Sequence, residues 1–404
     1  MAGQGPKDRS SFACDVVIAG GCGHAGLPLA VAFAARGARV ISYDSSTAAV
    51  EAVNDGRLPF HEPAVEPPLK RAVSTGRLVA SADPAVIAAG EHVVLIVNDL
   101  DQRSRVRRDA LPAALAEWSD EFRDGQILIL RGSVAPGMTA AAEKIVARLG
   151  VDVDVAFCPE RTAQGMAMTE LFELPQIVAS RSARGLERAS RLFSMLTAEL
   201  VPMTVEEAEL AKLFSNAWRY IKFAAANQFY MVAADLGLDY ERIRQGLARD
   251  FPRGSDMPKA GLAAGPCLLG DTASLARSNA GFTFGRTAIA VNQGLPGYLV
   301  SRIELAYDLP AMTVGVLGMA FKGGSDDTRS SLAYLLADLL AARAHEVLCT
   351  DPLVTADPDL LPLDEVLSRA DLLVIGAPHP HYRDLRTELP VVDIWNLRRQ
   401  GVLA

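Results

Sequence analysis

The sequence predicts an α/β protein in which two doubly wound, largely parallel sheets are joined by one long helix. Three observations carry this reading. Short, near-continuous apolar runs alternate with helical stretches through the first half of the chain, as in sheets covered on both faces. From Val205 to Leu236 the pattern becomes a single helical stretch with no proline and no internal glycine. After Leu309 the alternation of strand and helix resumes.

Cys14 to Ala19 is a short apolar, β-branched run that ends in glycines. The alanine-rich helical stretch Leu27 to Arg36 follows, and then the strand Ala38 to Tyr43, ending at Asp44. That is a βαβ unit. The buried-strand run His92 to Val97, a helical stretch after Arg103 and the strand Gln126 to Leu130 extend the sheet of a first domain, 12–202. In the long stretch, Leu210, Leu213, Phe214, Ala217, Ile221 and Ala224 recur at three- and four-residue steps. They give a broad apolar face suited to a shared spine or a dimer surface in a central domain, 203–300. The Gly- and Pro-rich region from Phe251 to Phe284 reads as largely loop. A second, smaller Rossmann-like domain, 309–404, begins with the strand Thr313 to Leu317 and Gly318. It continues through the helix Ser331 to Arg343, the strand Glu346 to Cys349 ending at Asp351-Pro352, the strand Asp371 to Gly376, and Val391-Val392-Asp393. It lacks the glycine-rich turn of the first.

At 404 residues the chain is too long for one ordinary core. A net charge of −8 offers no electrostatic footprint for nucleic acid or an anionic membrane. No apolar run reaches the roughly 18 residues needed to span a bilayer. The start, Met1 to Phe12, is polar and reads as a tail and not a signal peptide. The five cysteines are scattered, without a CxxC pair, so reduced thiols in a cytoplasm are the default. His379-Pro380-His381 has no acidic partner at ligand spacing and reads as a solvated loop, with no metal.

Gly21-Cys22-Gly23-His24-Ala25-Gly26 follows a strand, opens a helix and precedes an acidic residue, Asp44, at the next strand end. Each part has a physical reason in a dinucleotide site. Gly21 permits the tight turn, Gly23 lets the backbone approach a pyrophosphate, and Gly26 lets helix and strand pack closely. The helix N-terminus receives the phosphate charge. Asp44 would accept from both ribose hydroxyls and repel a 2′-phosphate, which selects NAD over NADP. Far downstream, Cys267 lies in Gly265-Pro266-Cys267-Leu268-Leu269-Gly270-Asp271. A thiol there could trap an aldehyde and carry it through a second oxidation.

With these residues placed, the chain resembles the nucleotide-sugar 6-dehydrogenases, the family of UDP-glucose and UDP-N-acetylmannosamine dehydrogenases. The shared segments run in one order. They are Gly26-Leu27-Pro28-Leu29-Ala30, Asn54-Asp55-Gly56 with Pro59 and Glu62-Pro63, Ser133-Val134-Ala135-Pro136-Gly137, and Pro159-Glu160-Arg161. Lys212-Leu213-Phe214-Ser215-Asn216 and the Cys267–Asp271 loop come next, then Phe321-Lys322, Asp327-Thr328-Arg329-Ser330-Ser331 and Asp351-Pro352. The Pro-Glu-Arg form and Ala264-Gly265-Pro266-Cys267 are closer to the N-acetylmannosamine branch.

The resemblance implies a four-electron oxidation of a primary alcohol at sugar C6, using two NAD and a cysteine-bound intermediate, in a homodimer. It implies Cys267 as nucleophile, Lys212 and Asn216 as oxyanion donors, and Glu160 as an aid to thioester hydrolysis. Asp271 and Ser133 would hold a water that takes the alcohol proton. His24 and Ala25 belong to the cofactor turn, and Arg329 matches a further NAD contact. Arg161, Phe321, Lys322 and Arg253 match substrate contacts, the last reaching in from a neighbouring subunit. Read without the family, Lys212 and Asn216 are neighbours on one helix face, and a cation with an amide donor suits a developing alkoxide.

Several positions depart from the family pattern. Gly270 stands where a lysine is usual, Asn98-Asp99 where Thr-Pro lines the cofactor cleft, and Ser133 where threonine is usual. Gln164 replaces a second glutamate of some members. Leu262 and Ala264 replace glycines before the cysteine, which restricts that backbone. Two other readings stay open: a two-electron β-hydroxyacid-dehydrogenase-like oxidoreductase, and a sugar-nucleotide-binding homologue impaired in catalysis.

Overall fold

The computed structural model describes residues 12–96 and 110–399. Met1 to Ser11, Asn98-Asp99 and the stretch just after Arg103 lie outside them. The described residues form two compact units, with the boundary between Lys212 and Leu213. That boundary falls inside the helix Val205–Asp235.

The first unit is built on an eight-stranded sheet. Its strands are β1 (Cys14–Ala19), β2 (Val40–Tyr43), β3 (Leu78–Ser81), β4 (Gly90–Leu95), β5 (Gln126–Leu130), β6 (Val153–Phe157), β7 (Gln176–Ala179) and β8 (Leu200–Met203). The spatial order is β3-β2-β1-β4-β5-β6-β7-β8. The first six strands are parallel in the doubly wound order, and β7 runs antiparallel to β6. Alternate residues of β1 enter different cores: Val16 and Ile18 pack with Phe33 and Phe193, Val17 and Ala19 with Trp118 and Phe122. Both faces are therefore apolar, which is why the strands read as continuous runs and not as alternations. Each fully buried Val, Ile or Phe among them contributes roughly 1.5–3 kcal/mol. The order reverses between β1 and β4, and the glycine turn after β1 opens at that switch point.

The second unit contains a four-stranded parallel sheet, ordered β10-β9-β11-β12. Its strands are β9 (Thr313–Leu317), β10 (Glu346–Thr350), β11 (Leu372–Ile375) and β12 (Val391–Val392). Val314, Val316 and Val374 face a core shared with Leu295, Leu299 and Leu336, while Leu317, Leu373 and Ile375 pack with Val366 and Tyr382. The strand after Leu309 and its successors stand where the sequence puts them. Among the described residues, no helix is long and apolar enough to cross a membrane.

Two readings are corrected. The Phe251–Phe284 region is loop over residues 251–265 and 279–282, but Pro266–Ser278 within it forms a 13-residue helix that the reading did not include. Glycine and proline misled the reading: Gly265 sits at the N-cap and Pro266 at the first helical position, where its missing N–H costs nothing. His379-Pro380-His381 is not a solvated loop throughout. His381 is exposed, but His379 is fully buried and is paired with Asp351.

Candidate active site

In the first unit the glycine turn divides its labour differently from the sequence reading. The left-handed residue is Gly20, with φ +77°, and not Gly21. Gly21 is instead hemmed in: a Cβ there would lie 2.5 Å from the Ile18 carbonyl oxygen and 2.8 Å from Ser42 Cα. A Cβ on Gly26 would collide with the Gly20 carbonyl, so helix and turn touch there. At Gly23 the nearest protein atom to a Cβ would be 3.7 Å away. Nothing in the fold itself forbids a side chain at that position, whereas a pyrophosphate lying against the backbone would. The helix Gly26–Ala35 has no side-chain cap and no acidic residue in its first turn, which suits an anion at its N-terminus.

Asp44, at the tip of β2, accepts from the Cys22 N–H at 3.2 Å and the Ser46 N–H at 3.1 Å. Each of its oxygens retains a lone pair for a ribose hydroxyl. His24 packs its ring on Phe60, with centroids 4.1 Å apart, and its Nδ1 accepts from Gln164 at 3.1 Å. Ala25 is the N-cap of the helix. These residues fit a dinucleotide.

Ser133 is half-buried just beyond β5, in the loop before the helix Met138–Val146. The start of that helix is held by Glu209, whose carboxylate accepts from the Gly137 and Thr139 N–H groups at 2.7 and 2.8 Å. Beyond β6, Glu160 is buried and its four acceptor positions are taken. Oε1 accepts from the Arg161 and Thr162 N–H groups, both at 2.7 Å. Oε2 accepts from Arg131 Nε at 2.9 Å and lies 2.8 Å from its Nη2. Burial alone would raise the carboxyl. The Arg131 charge, the Thr162 amide and the Lys212 charge outweigh it and hold Glu160 below the usual carboxylate range. Lys212 donates to the Glu160 carbonyl oxygen at 2.5 Å. Two further carboxylates fix the same loop: Glu170 accepts from Ala163 N–H at 2.6 Å and Glu62 from Gly165 N–H at 2.8 Å. Arg161 turns away to donate to the Pro175 carbonyl at 2.8 Å.

Sequence reasoning missed Arg131. The signal was present: a lone cation directly after the wholly apolar end of β5 must find an anion, because it has no water.

In the second unit Cys267 is exposed on the first turn of the Pro266–Ser278 helix, and Asp271, one turn further on, is buried. Asn216 donates to Asp271 Oδ2 at 2.5 Å. The loop before the cysteine is pinned from below. Asn227 grips Gly261 by both backbone groups, at 2.9 and 3.0 Å, and Asn227 in turn donates to Asn292 at 2.9 Å. Leu262 and Ala264 are buried in ordinary backbone regions, and the left-handed turn falls on Gly265, φ +101°. A Cβ there would lie 2.7 Å from the Phe321 ring. Phe321, one of the expected substrate residues, therefore packs directly beside the cysteine loop. The Lys322 ammonium lies 5.9 Å from the Phe321 ring centroid.

Arg329 forms a two-pronged pair with Asp327, with contacts from 2.6 to 3.1 Å. Those bonds hold its guanidinium above its ordinary range against the effect of burial, and Cys267 acts in the same direction. Cys267 lies in the first turn of its helix, where the aligned peptide dipoles favour an anion. Arg253 is exposed, with its guanidinium over the Phe251 ring.

The expected Phe321–Lys322 segment is held by a buried dyad that sequence reading did not find. Asp351 Oδ2 accepts from the Met319 and Ala320 N–H groups at 2.7 and 3.0 Å. His379 Nδ1 accepts from Gly324 N–H at 3.2 Å, so its proton sits on Nε2, which faces Asp351 at 3.0 Å.

Three models of one family match the chain in succession. The UDP-glucose/GDP-mannose dehydrogenase family NAD binding domain covers residues 15–197, its central domain 206–293 and its UDP binding domain 315–399. A UDP-N-acetyl-D-mannosamine dehydrogenase of Pyrococcus horikoshii is 29% identical, over 91% of this chain and 90% of its own. The Escherichia coli K12 protein of the same name is 29% identical, over 92% and 95%. Among solved structures, a UDP-glucose dehydrogenase from Pyrobaculum islandicum superposes with a TM-score of 0.87 at 26% identity, covering 98% of this chain and 97% of that one.

Proposed function

Because the chain belongs to the UDP-glucose/GDP-mannose dehydrogenase family and is an NAD-dependent oxidoreductase, we propose that it oxidises the C6 alcohol of a UDP-hexose or UDP-N-acetylhexosamine to the uronic acid through a thioester on Cys267. One observation carries the reading: an exposed thiol on the first turn of a helix, one turn from a carboxylate oriented by Asn216.

NAD, when bound over Gly20–Gly26 and Asp44, supplies the hydride acceptor for each of the two oxidations. The chain's own residues do the rest. Asp271 takes the alcohol proton as the C6 hydride leaves. The Cys267 sulfur adds to the aldehyde carbon, and the Lys212 ammonium and Asn216 amide stabilise the alkoxide that forms. Loss of a second hydride leaves a thioester. Water then bonds to the acyl carbon, the C–S bond breaks with its electron pair returning to sulfur, and the acid is released. Phe321 and Lys322 supply a flat apolar face and a cation for the uridine diphosphate.

The substrate leans to UDP-N-acetylmannosamine, the sugar nucleotide named for both curated relatives above, and the mode of action requires a reducing, cytoplasmic compartment to keep Cys267 a thiol. The protein works as a homodimer. Phe214, Trp218, Phe229, Val232 and Leu236 are exposed at helical spacing along one stripe, and a second copy would cover them. Light scattering of the purified protein should give twice the chain mass, and Trp218→Glu should halve it.

A panel of UDP- and GDP-sugars with NAD, followed by product identification, tests the reading. The expected result is a uronic acid, with the highest kcat/KM on UDP-N-acetylmannosamine. Preference for a GDP-sugar, or an aldehyde as final product, would overturn it.

A further inference from the structure

Cys267 is exposed, yet the loop that delivers it is buried from Ala260 to Gly265. A buried loop must find partners for its peptide groups away from water. Asn227, itself fully buried on the Val205–Asp235 helix, supplies them at Gly261. Its Oδ1 accepts from the Gly261 N–H at 2.9 Å, and its Nδ2 donates to the Gly261 carbonyl at 3.0 Å and to Asn292 Oδ1 at 2.9 Å. Asn292 is fully buried in its turn, on the helix Thr283–Ala306, and donates to the Tyr220 carbonyl at 3.1 Å. The two amides thus fix each other, and one of them holds a single loop residue by both of its backbone groups.

An indole gives Gly261 a second wall. A Cβ at 261 would run into the six-membered ring of Trp395, whose Nε1 donates to the carbonyl of Ile375, the last residue of β11, at 3.2 Å. The far end of the loop is therefore held by an amide and a ring, and the near end, at Gly265, by the ring of Phe321. A leucine at 227 would join the two helices equally well and would leave the Gly261 N–H without this acceptor. What the amide adds over an apolar side chain is the hold on the loop.

We infer that Asn227 and Trp395 are positioning residues for Cys267: they fix where the sulfur stands when the first oxidation yields an aldehyde, so that the aldehyde is captured before it leaves. The inference rests on the function proposed above and deepens it. Capture forms the bond from sulfur to the aldehyde carbon and moves the C=O pair onto oxygen, and it competes with escape of the aldehyde to solvent. A misplacement of about 1 Å slows such a step by roughly a hundredfold. A loosened loop therefore shifts the competition towards escape. The first oxidation needs no bond to sulfur, and Asp271 keeps its own hold through Asn216.

The test compares Asn227→Ser and Trp395→Phe with the unaltered protein on UDP-N-acetylmannosamine, or on UDP-glucose should that be the better substrate. NADH is counted against uronic acid with semicarbazide present, which converts released aldehyde to a semicarbazone detected by its mass. Unaltered protein should give two NADH per acid and no semicarbazone. In both variants the ratio should rise to about three or more, with one semicarbazone for each NADH above two. Partial unfolding lowers the rate and keeps the ratio, since an unfolded chain makes no NADH. A ratio of two in either folded variant, at whatever rate, overturns the inference and leaves the function intact. Should one variant fail to fold, the other is read alone in the same way. Unaltered protein that makes no acid from any nucleotide sugar defeats the function, and the inference with it.

Discussion

The ring of Phe321 lies against the Cα of Gly265, two residues before the candidate nucleophile. A methyl group at 265 would come within 2.7 Å of Cδ2 and 2.9 Å of Cε2. The backbone at Gly265 is also left-handed, where a side chain is strained whatever the space. The segment that should meet the nucleotide and the loop that should meet C6 are therefore packed as one piece within the second unit.

Gly265→Ala should accordingly cost roughly 1–3 kcal/mol at this turn and raise the KM for the sugar nucleotide several-fold, with the KM for NAD nearly unchanged. Steady-state kinetics and thermal melting check both. Phe321→Leu in the same chain should recover the collision and not the backbone strain, so rescue should be partial. Full activity of Gly265→Ala would show that the contact has no bearing on the site.

A second prediction concerns Asp351. Burial would raise this carboxyl, but its hydrogen bonds to His379, Leu353 and Met319 bring it down to about 2. The folded-state value is below the ordinary one of about 3.9. Its stabilisation is therefore complete above about pH 4 and is lost as pH falls towards 2, amounting to roughly 2 kcal/mol. Asp351→Asn should lose about that much at pH 7, because an amide N–H₂ must face backbone N–H donors on one side. The gap between the variant and the parent should close in urea melts between pH 4 and 2. A gap that stays constant over that range would refute the assignment.

Thiol reactivity gives a third. Burial raises Cys14 and Cys349 to about 11, and Cys22 and Cys158 to about 12. Cys267 alone among the five is exposed. Iodoacetamide at pH 7.5 should alkylate Cys267 first, abolish activity in step with that modification, and act several-fold more slowly when the sugar nucleotide is present. Peptide mapping decides the matter, and inactivation with Cys267 unmodified would contradict the account.

Much of this architecture was legible because its strands are buried on both faces. Cys14–Ala19 and Gln126–Leu130 begin and end where the apolar runs do. The helix Val205–Asp235 ends one residue before its sequence limit. What escaped detection depends on contacts distant in sequence. Arg131 and Glu160 are 29 residues apart and meet only because β5 and β6 are adjacent. His379 resembles a loop residue until Asp351, 28 residues earlier, is brought beneath it. Pro266 marks a helix start as readily as a break, and only the packing of Leu275 and Ala276 in the core distinguishes the two. At the glycine turn, sequence spacing assigned the tight turn to Gly21, whereas the left-handed residue is Gly20, φ +77°. Gly21 is required instead by its packing, since a Cβ there would lie 2.5 Å from the Ile18 carbonyl oxygen.

The central claim is covalent four-electron oxidation at Cys267, and counting NADH against uronic acid tests it most directly. The account predicts two NADH for each acid formed by the unaltered protein, and no acid from Cys267→Ser. One NADH per sugar consumed, or undiminished acid from Cys267→Ser, would contradict it.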